Sequence, residues 1–124
     1  MNRESRLRER ERFEQVRRKG SCWTDRLIVL CALPNGLARS RFGFSVSRRV
    51  GNAVVRNRLK RRLREIVRLQ REGLAVGWDV VLIARPPIAR ADYREIERVV
   101  GRLLRQAGLV LPVTLQQSAQ DVVA

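Results

Sequence analysis

The 124-residue sequence predicts an α+β domain in which short strands are interspersed with amphipathic helices, one of them strongly basic. Three observations carry this. Short runs at 26–33, 41–48 and 79–84 have the length and patterning of strands. Two longer segments, 53–69 and 91–107, repeat apolar residues at helical spacing. The two kinds of segment are interspersed, with no composition shift that marks a second domain. Residues 1–108 therefore read as one unit, and 109–124 as a flexible Gln/Ser/Ala tail.

Residues 3–19 mix both charges with few apolar anchors: Leu7, Phe13 and Val16. This predicts a surface helix, capped by Ser5 and closed by Gly20. The run RLIVLCAL at 26–33 is too short for a typical helix and ends in the turn signal Pro34-Asn35-Gly36, so it reads as a strand. In 41–48, Phe42, Phe44 and Val46 alternate with Gly43, Ser45 and Ser47. That is a second strand, expected to form a hairpin with the first. Its small, polar face leaves room for a ligand against the sheet.

Asn52 is placed to cap a helix over 53–69, with Val55, Leu59, Leu63 and Ile66 on its buried side. Asn57, Arg61, Arg64 and Arg68 fall opposite. Residues 79–84, DVVLIA, form an apolar run of the kind buried on both faces. A last helix over 91–107 starts near Asp92 and ends at Gly108.

The charge is very uneven. There are 27 Lys and Arg against 12 Asp and Glu, a net +15, and all but Lys19 and Lys60 of the bases are Arg. Such a surplus on one small domain calls for a polyanionic partner. Residues 39–68 hold ten Arg and one Lys against a single acid, Glu65. A solvated helix face normally intersperses both signs, so this density points to nucleic acid. RNA is preferred over DNA. No helix-turn-helix or zinc-finger spacing is present, no heptads follow the basic helix, and a basic helix beside a small-residue strand suits a single strand or folded RNA.

Several classes are excluded. There is no His, which removes His-based acid–base catalysis and His-ligated metals. No apolar run is long enough to cross a membrane, and the charged first residues do not resemble a secretory signal. A cytoplasmic setting without membrane partners is expected. Cys22 and Cys31 are too few for a zinc site and, in a reducing compartment, read as buried or incidental thiols.

The segment from Arg41 to Glu65 then resembles a specific signature: RFGFSVSRRVGNAVVRNRLKRRLRE, a Gly-Asn-Ala-Val turn into Arg-Asn-Arg-x-x-Lys-Arg-x-x-Arg-Glu. It is similar to that of the bacterial ribonuclease P protein subunit. Phe13 followed by Gly20, and Asp79 through Arg85, extend the resemblance over about residues 5–107. The resemblance implies an α/β sandwich with a single central sheet, in α-β-β-β-α-β-α order and with a left-handed crossover around the basic helix, against the usual rule. It also implies one more strand before that helix than the residues themselves reveal.

The family's function is removal of the 5′ leader from precursor tRNA, with the RNA subunit as catalyst. Mg²⁺ is then held mainly by that RNA and the substrate, and no residue of this chain is catalytic. By resemblance, Arg56, Asn57, Lys60, Arg61 and Arg64 contact the RNA subunit, and Phe13, Ser45, Ser47, Arg48, Arg49 and Arg85 contact the precursor-tRNA leader. Phe42 and Phe44 are read as core. Two positions depart from the family pattern: Arg17 and Cys31 stand where aromatics are common. The alternatives are a ribosomal or RNA-chaperone domain, and a basic membrane-surface protein supported by charge alone.

Overall fold

In the computed structural model, which describes residues 6, 7 and 9–112, three helices and four strands follow one another along the chain. These are α1 (Arg10–Lys19), β1 (Ser21–Thr24), β2 (Ile28–Pro34), β3 (Arg41–Ser45), α2 (Ala53–Gln70), β4 (Trp78–Ala84) and α3 (Tyr93–Gln106). Short 3₁₀ turns occupy Arg71–Gly73 and Pro86–Arg90. The strands form a single mixed sheet in the order β1-β2-β4-β3. β2 is antiparallel to both β1 and β4, and β3 lies parallel to β4.

The expected hairpin between 26–33 and 41–48 does not form. β4, a continuous run of buried side chains over Asp79–Leu82, inserts between those two strands and takes an inner place. β2 instead makes its hairpin with β1. The turn is set by Asp25, whose carboxylate accepts from Leu27 N–H at 2.9 Å. The strand expected to reach residue 48 stops at Ser45, where the chain turns toward α2.

The first helix also starts later than its charge pattern suggests. Ser5 lies outside the described residues. Leu7 is extended, with its N–H donating to Phe42 O at 2.9 Å along the outer edge of β3. Gly20 ends α1 with φ −77°. It serves close approach: a side chain there would meet the carbonyl of Ala32 at 2.5 Å.

Sheet pleating divides the core in two. Ile28, Leu30, Ala32, Phe42, Val80 and Leu82 point to one face, where they meet Leu59, Leu63, Ile66 and Val67 of α2 and Ile96, Val100, Leu103 and Leu104 of α3. Each such side chain contributes roughly 1.5–3 kcal/mol by leaving water. Asn52 and Asp92 cap α2 and α3, accepting from the N–H groups of Val55 and Glu95 at 3.0 and 2.8 Å. The opposite face carries α1, whose Val16 packs with Leu7, Cys31 and Val81.

On that second face, Cys22, Cys31, Val81 and Gly43 form one row across all four strands, each aligned with the next. The row corrects the reading of the cysteines. Cys22 and Cys31 are direct cross-strand partners, with Cα atoms 4.1 Å apart, and they are joined as a disulfide. Their nine-residue separation closes into a hairpin, which brings the sulfurs together.

Residues 109–112 do not detach from the domain. Leu109 is buried, and Leu111 N–H donates to Gly73 O at 2.8 Å. The remainder of the expected tail, 113–124, lies outside the described residues.

Candidate RNA interface

α2 presents its charge in the arc left free by its apolar stripe. Leu59, Leu63, Ile66 and Val67 are buried, whereas Asn57, Arg58 and Arg61 are exposed and Arg56, Lys60, Arg62 and Arg64 are half-buried at the flanks. The first turn contains no acid, and Arg56 stands there against the helix dipole. The Nε of Arg56 has no hydrogen-bond partner among the described residues. Glu65, the helix's one acid, is bonded to Arg68 at 2.6 Å, and this pairing holds its carboxyl below the usual range. The remaining arc is an electropositive surface suited to phosphates.

α1 contributes from the other face. The tip of the Phe13 ring abuts the backbone of β3 at Gly43. A Cβ at that position would stand 2.2 Å from the tip of the ring, so only glycine fits beneath it. Phe13, Gly43, Phe44, Arg6, Lys60 and Arg64 line one depression of about 110 Å³ around the β3 edge. Two residue sets that the resemblance kept apart therefore share a wall: Phe13 of the leader set faces Lys60 and Arg64 of the RNA-subunit set. Phe42 is buried and Phe44 packs on the core, as their alternation predicts.

Beyond Phe13, the sheet is left uncovered. Thr24, Val29, Ile83 and Ser45 form the next row on this face, and none of the four is buried. Ser47, Arg48 and Arg49 are exposed in the turn that follows β3. Arg85 follows β4 at the same end and donates to the Asp25 carbonyl at 3.1 Å. The result is a floor of two β-branched aliphatic side chains flanked by Thr24 and Ser45, with arginines around its end. Arg17 points outward to Glu14, and Cys31 lies beneath α1, so neither supplies an aromatic surface to this floor.

The ion cluster that joins Arg12, Arg41 and Asp79 escaped the sequence reading. Asp79 is fully buried at the start of β4. Its Oδ2 accepts from Arg12 Nε at 2.6 Å and Arg41 Nη2 at 2.7 Å. Its Oδ1 accepts from Arg41 Nε at 2.8 Å and Asn35 Nδ2 at 2.9 Å. Burial pushes the carboxyl up, but the bonds from Arg41, Asn35 and Arg12 outweigh it and hold it below the usual range. The sequence signal was an acid opening an otherwise apolar strand. Its partners, up to 67 residues away, left no mark.

The chemistry of the donors bears on metal. Among the described residues, no three His, Cys, Asp or Glu converge. The one buried carboxylate among the described residues, Asp79, is saturated by guanidinium and amide donors, so these residues do not fit a resident Mg²⁺. Among them, too, no helix is long and apolar enough to cross a membrane.

An α+β domain with an arginine-rich helix beside an aromatic-walled, open sheet floor is an RNA-binding protein by class. The comparisons with known proteins narrow this. The Ribonuclease P family model matches residues 1–108. The chain is 47% identical to the ribonuclease P protein component of Roseiflexus castenholzii over 111 residues, covering 89% of this chain and 91% of that one. It is 46% identical to the corresponding protein of Dehalococcoides mccartyi over 110 residues, covering 89% and 90%. Among solved structures, the RNase P protein of Staphylococcus aureus superposes with a TM-score of 0.80 at 28% identity, covering 86% of this chain and 97% of that one. That of Thermotoga maritima gives 0.73 at 32%, covering 81% and 96%. The chain belongs to the ribonuclease P protein family. It is a protein subunit of the ribonucleoprotein endonuclease that processes tRNA, and its partner is the ribonuclease P RNA.

Proposed function

We propose that this subunit works through two adjoining surfaces. Arg56, Asn57, Lys60, Arg61 and Arg64 of α2 dock on the ribonuclease P RNA. The uncovered floor, with Phe13, Ser45, Ser47, Arg48, Arg49 and Arg85, holds the single-stranded 5′ leader of precursor tRNA. Its work belongs in the cytoplasm, with the precursor transcripts. Bidentate guanidinium contacts suit the phosphates of folded RNA, and Asn57 both donates and accepts. An extended strand suits a half-exposed sheet row edged by Thr24 and Ser45, where Phe13 offers a face for a base.

The observation that carries this reading is Phe13 lying on Gly43 with Lys60 and Arg64 across the same depression. One aromatic face and two cations converge there. The protein's part in the reaction is positioning and charge neutralisation, which lowers the Mg²⁺ concentration needed to hold the substrate. The metal ions that activate water are assigned to the RNA and substrate, since the carboxylates here do not converge.

The test is precursor-tRNA cleavage by a bacterial ribonuclease P RNA at low Mg²⁺, with and without this protein. Cleavage at the mature 5′ end only when both are present is expected. No gain across matched salt and Mg²⁺, with tight RNA binding retained, would overturn it.

A further inference from the structure

We propose that Arg12, anchored on Asp79, is a positioning residue that sets the seat of α1 and so holds the Phe13 ring on Gly43. The inference rests on the reading of Phe13 as a leader contact.

α1 needs such an anchor. It has ten residues, and Val16 is its only buried side chain. Its other apolar contact is the half-buried Phe13 ring itself, so the rotation that seats that ring has no second buried side chain beyond Val16 to fix it. Arg12 supplies the missing constraint. Its guanidinium bonds Asp79 Oδ2 at 2.6 Å, the carbonyl of Pro34 at 3.1 Å and Gln15 Oε1 at 3.1 Å. Two of these partners belong to strands, so the helix is tied to the sheet itself.

Residues 12 and 13 are neighbours, separated by about 100° around the helix. Fixing the direction of one fixes the other. The seat tolerates little error, because the Phe13 ring occupies the space a side chain on residue 43 would take. The anchor does not depend on Arg12. Arg41 and Asn35 hold Asp79 from β3 and from the β2–β3 loop, so removing Arg12 leaves the carboxylate paired and the sheet intact. Arg12 is also 20% exposed, and water can replace part of what it loses.

The experiment uses the holoenzyme assembled with ribonuclease P RNA. Affinity is measured for precursor tRNA and for mature tRNA, and their ratio is the leader-dependent gain. Wild type, Arg12→Gln, Phe13→Ala, the double variant and Gly43→Ala are compared. Arg12→Gln is expected to lower the gain roughly fivefold, the low end of what stacking one base is worth. Mature tRNA and RNA-subunit affinities should stay unchanged. The double variant should be no worse than Phe13→Ala, since both changes act through one ring. Gly43→Ala displaces the ring without touching the ion cluster, and should reproduce the loss if the seat matters.

Equal losses on precursor and mature tRNA, or additive losses in the double variant, would reduce Arg12 to a stability role and overturn the proposal. An unchanged gain in Arg12→Gln beside a lowered gain in Phe13→Ala would overturn it while leaving the leader reading standing. A gain unaffected by Phe13→Ala would overturn both.

Discussion

On α1, Arg12 reaches the buried carboxylate of Asp79, and Arg17 meets Glu14 one turn away. On α2, seven basic residues share a helix with one acid, Glu65, which is bonded to Arg68. The same residue type thus does two jobs. Where the fold supplies acids, arginine becomes a fastener with fixed geometry. Where it withholds them, arginine becomes a surface open to a counter-charge from outside the chain. A local count of charges finds the second kind at once, because it shows as an imbalance. It misses the first, because a fastener's partner lies elsewhere in the chain.

The contrast is open to four measurements. The largest effect should come from Asp79→Ala, which strands Arg41 and Arg12 at a buried site. Unfolding in urea should show a loss of about 3–5 kcal/mol, the usual consequence of breaking a buried ion pair from one side. A loss below about 1 kcal/mol, the range of exposed pairs, would place the cluster with surface salt bridges.

Reduction of the Cys22–Cys31 bond beneath α1 comes next. It frees a loop of nine-residue separation and should cost about 2–3 kcal/mol by loop entropy. A midpoint shift in urea with added thiol reductant reads this out, and no shift would show that the bond adds nothing to the folded state.

Acid gives a third test. The folded-state carboxyl of Asp79 is depressed, so its stabilisation is present above the unfolded value of about 3.9 and is lost as pH falls through the folded one. Wild-type stability should drop below about pH 4, with a shallower drop in Asp79→Asn. Identical curves would remove Asp79 from the acid response.

The smallest effect on stability should be Arg61→Ala, within about 0.5 kcal/mol for an exposed side chain. Its effect belongs to binding. The salt slope of RNA-subunit association should fall by about 0.7–0.9 per lost phosphate contact. An unchanged slope would show that Arg61 faces away from the RNA.

The helices and the central strand were legible because each carries a periodic or continuous apolar pattern: Leu59, Leu63 and Ile66 for α2, and 79–84 for β4. β1 was not. Ser21, Cys22 and Thr24 are exposed on an edge strand, which leaves no apolar alternation to detect. The pairing of β3 with β4 was also hidden, since a parallel partner 38 residues on is chosen by the assembled sheet. In the candidate site, the cations of α2 declared themselves by density and Phe13 by resemblance. Neither the glycine beneath Phe13 nor the arginine beside it had a local signature, because both act through contacts made only on folding.

The central place of β4 has a consequence for how the chain is made. Synthesis proceeds from the N-terminus, and β4 begins at Trp78, after the whole of α2. Until it emerges, β3 has no strand on its inner side, α2 has no finished sheet to lie on, and Arg12 and Arg41 await a carboxylate not yet translated. The basic helix is therefore complete and clear of the ribosome's exit before the domain that orients it can close. For that interval, the nascent chain carries its most cationic segment without the sheet that orients it, and closure waits on β4 and on the α3 that follows it into the core.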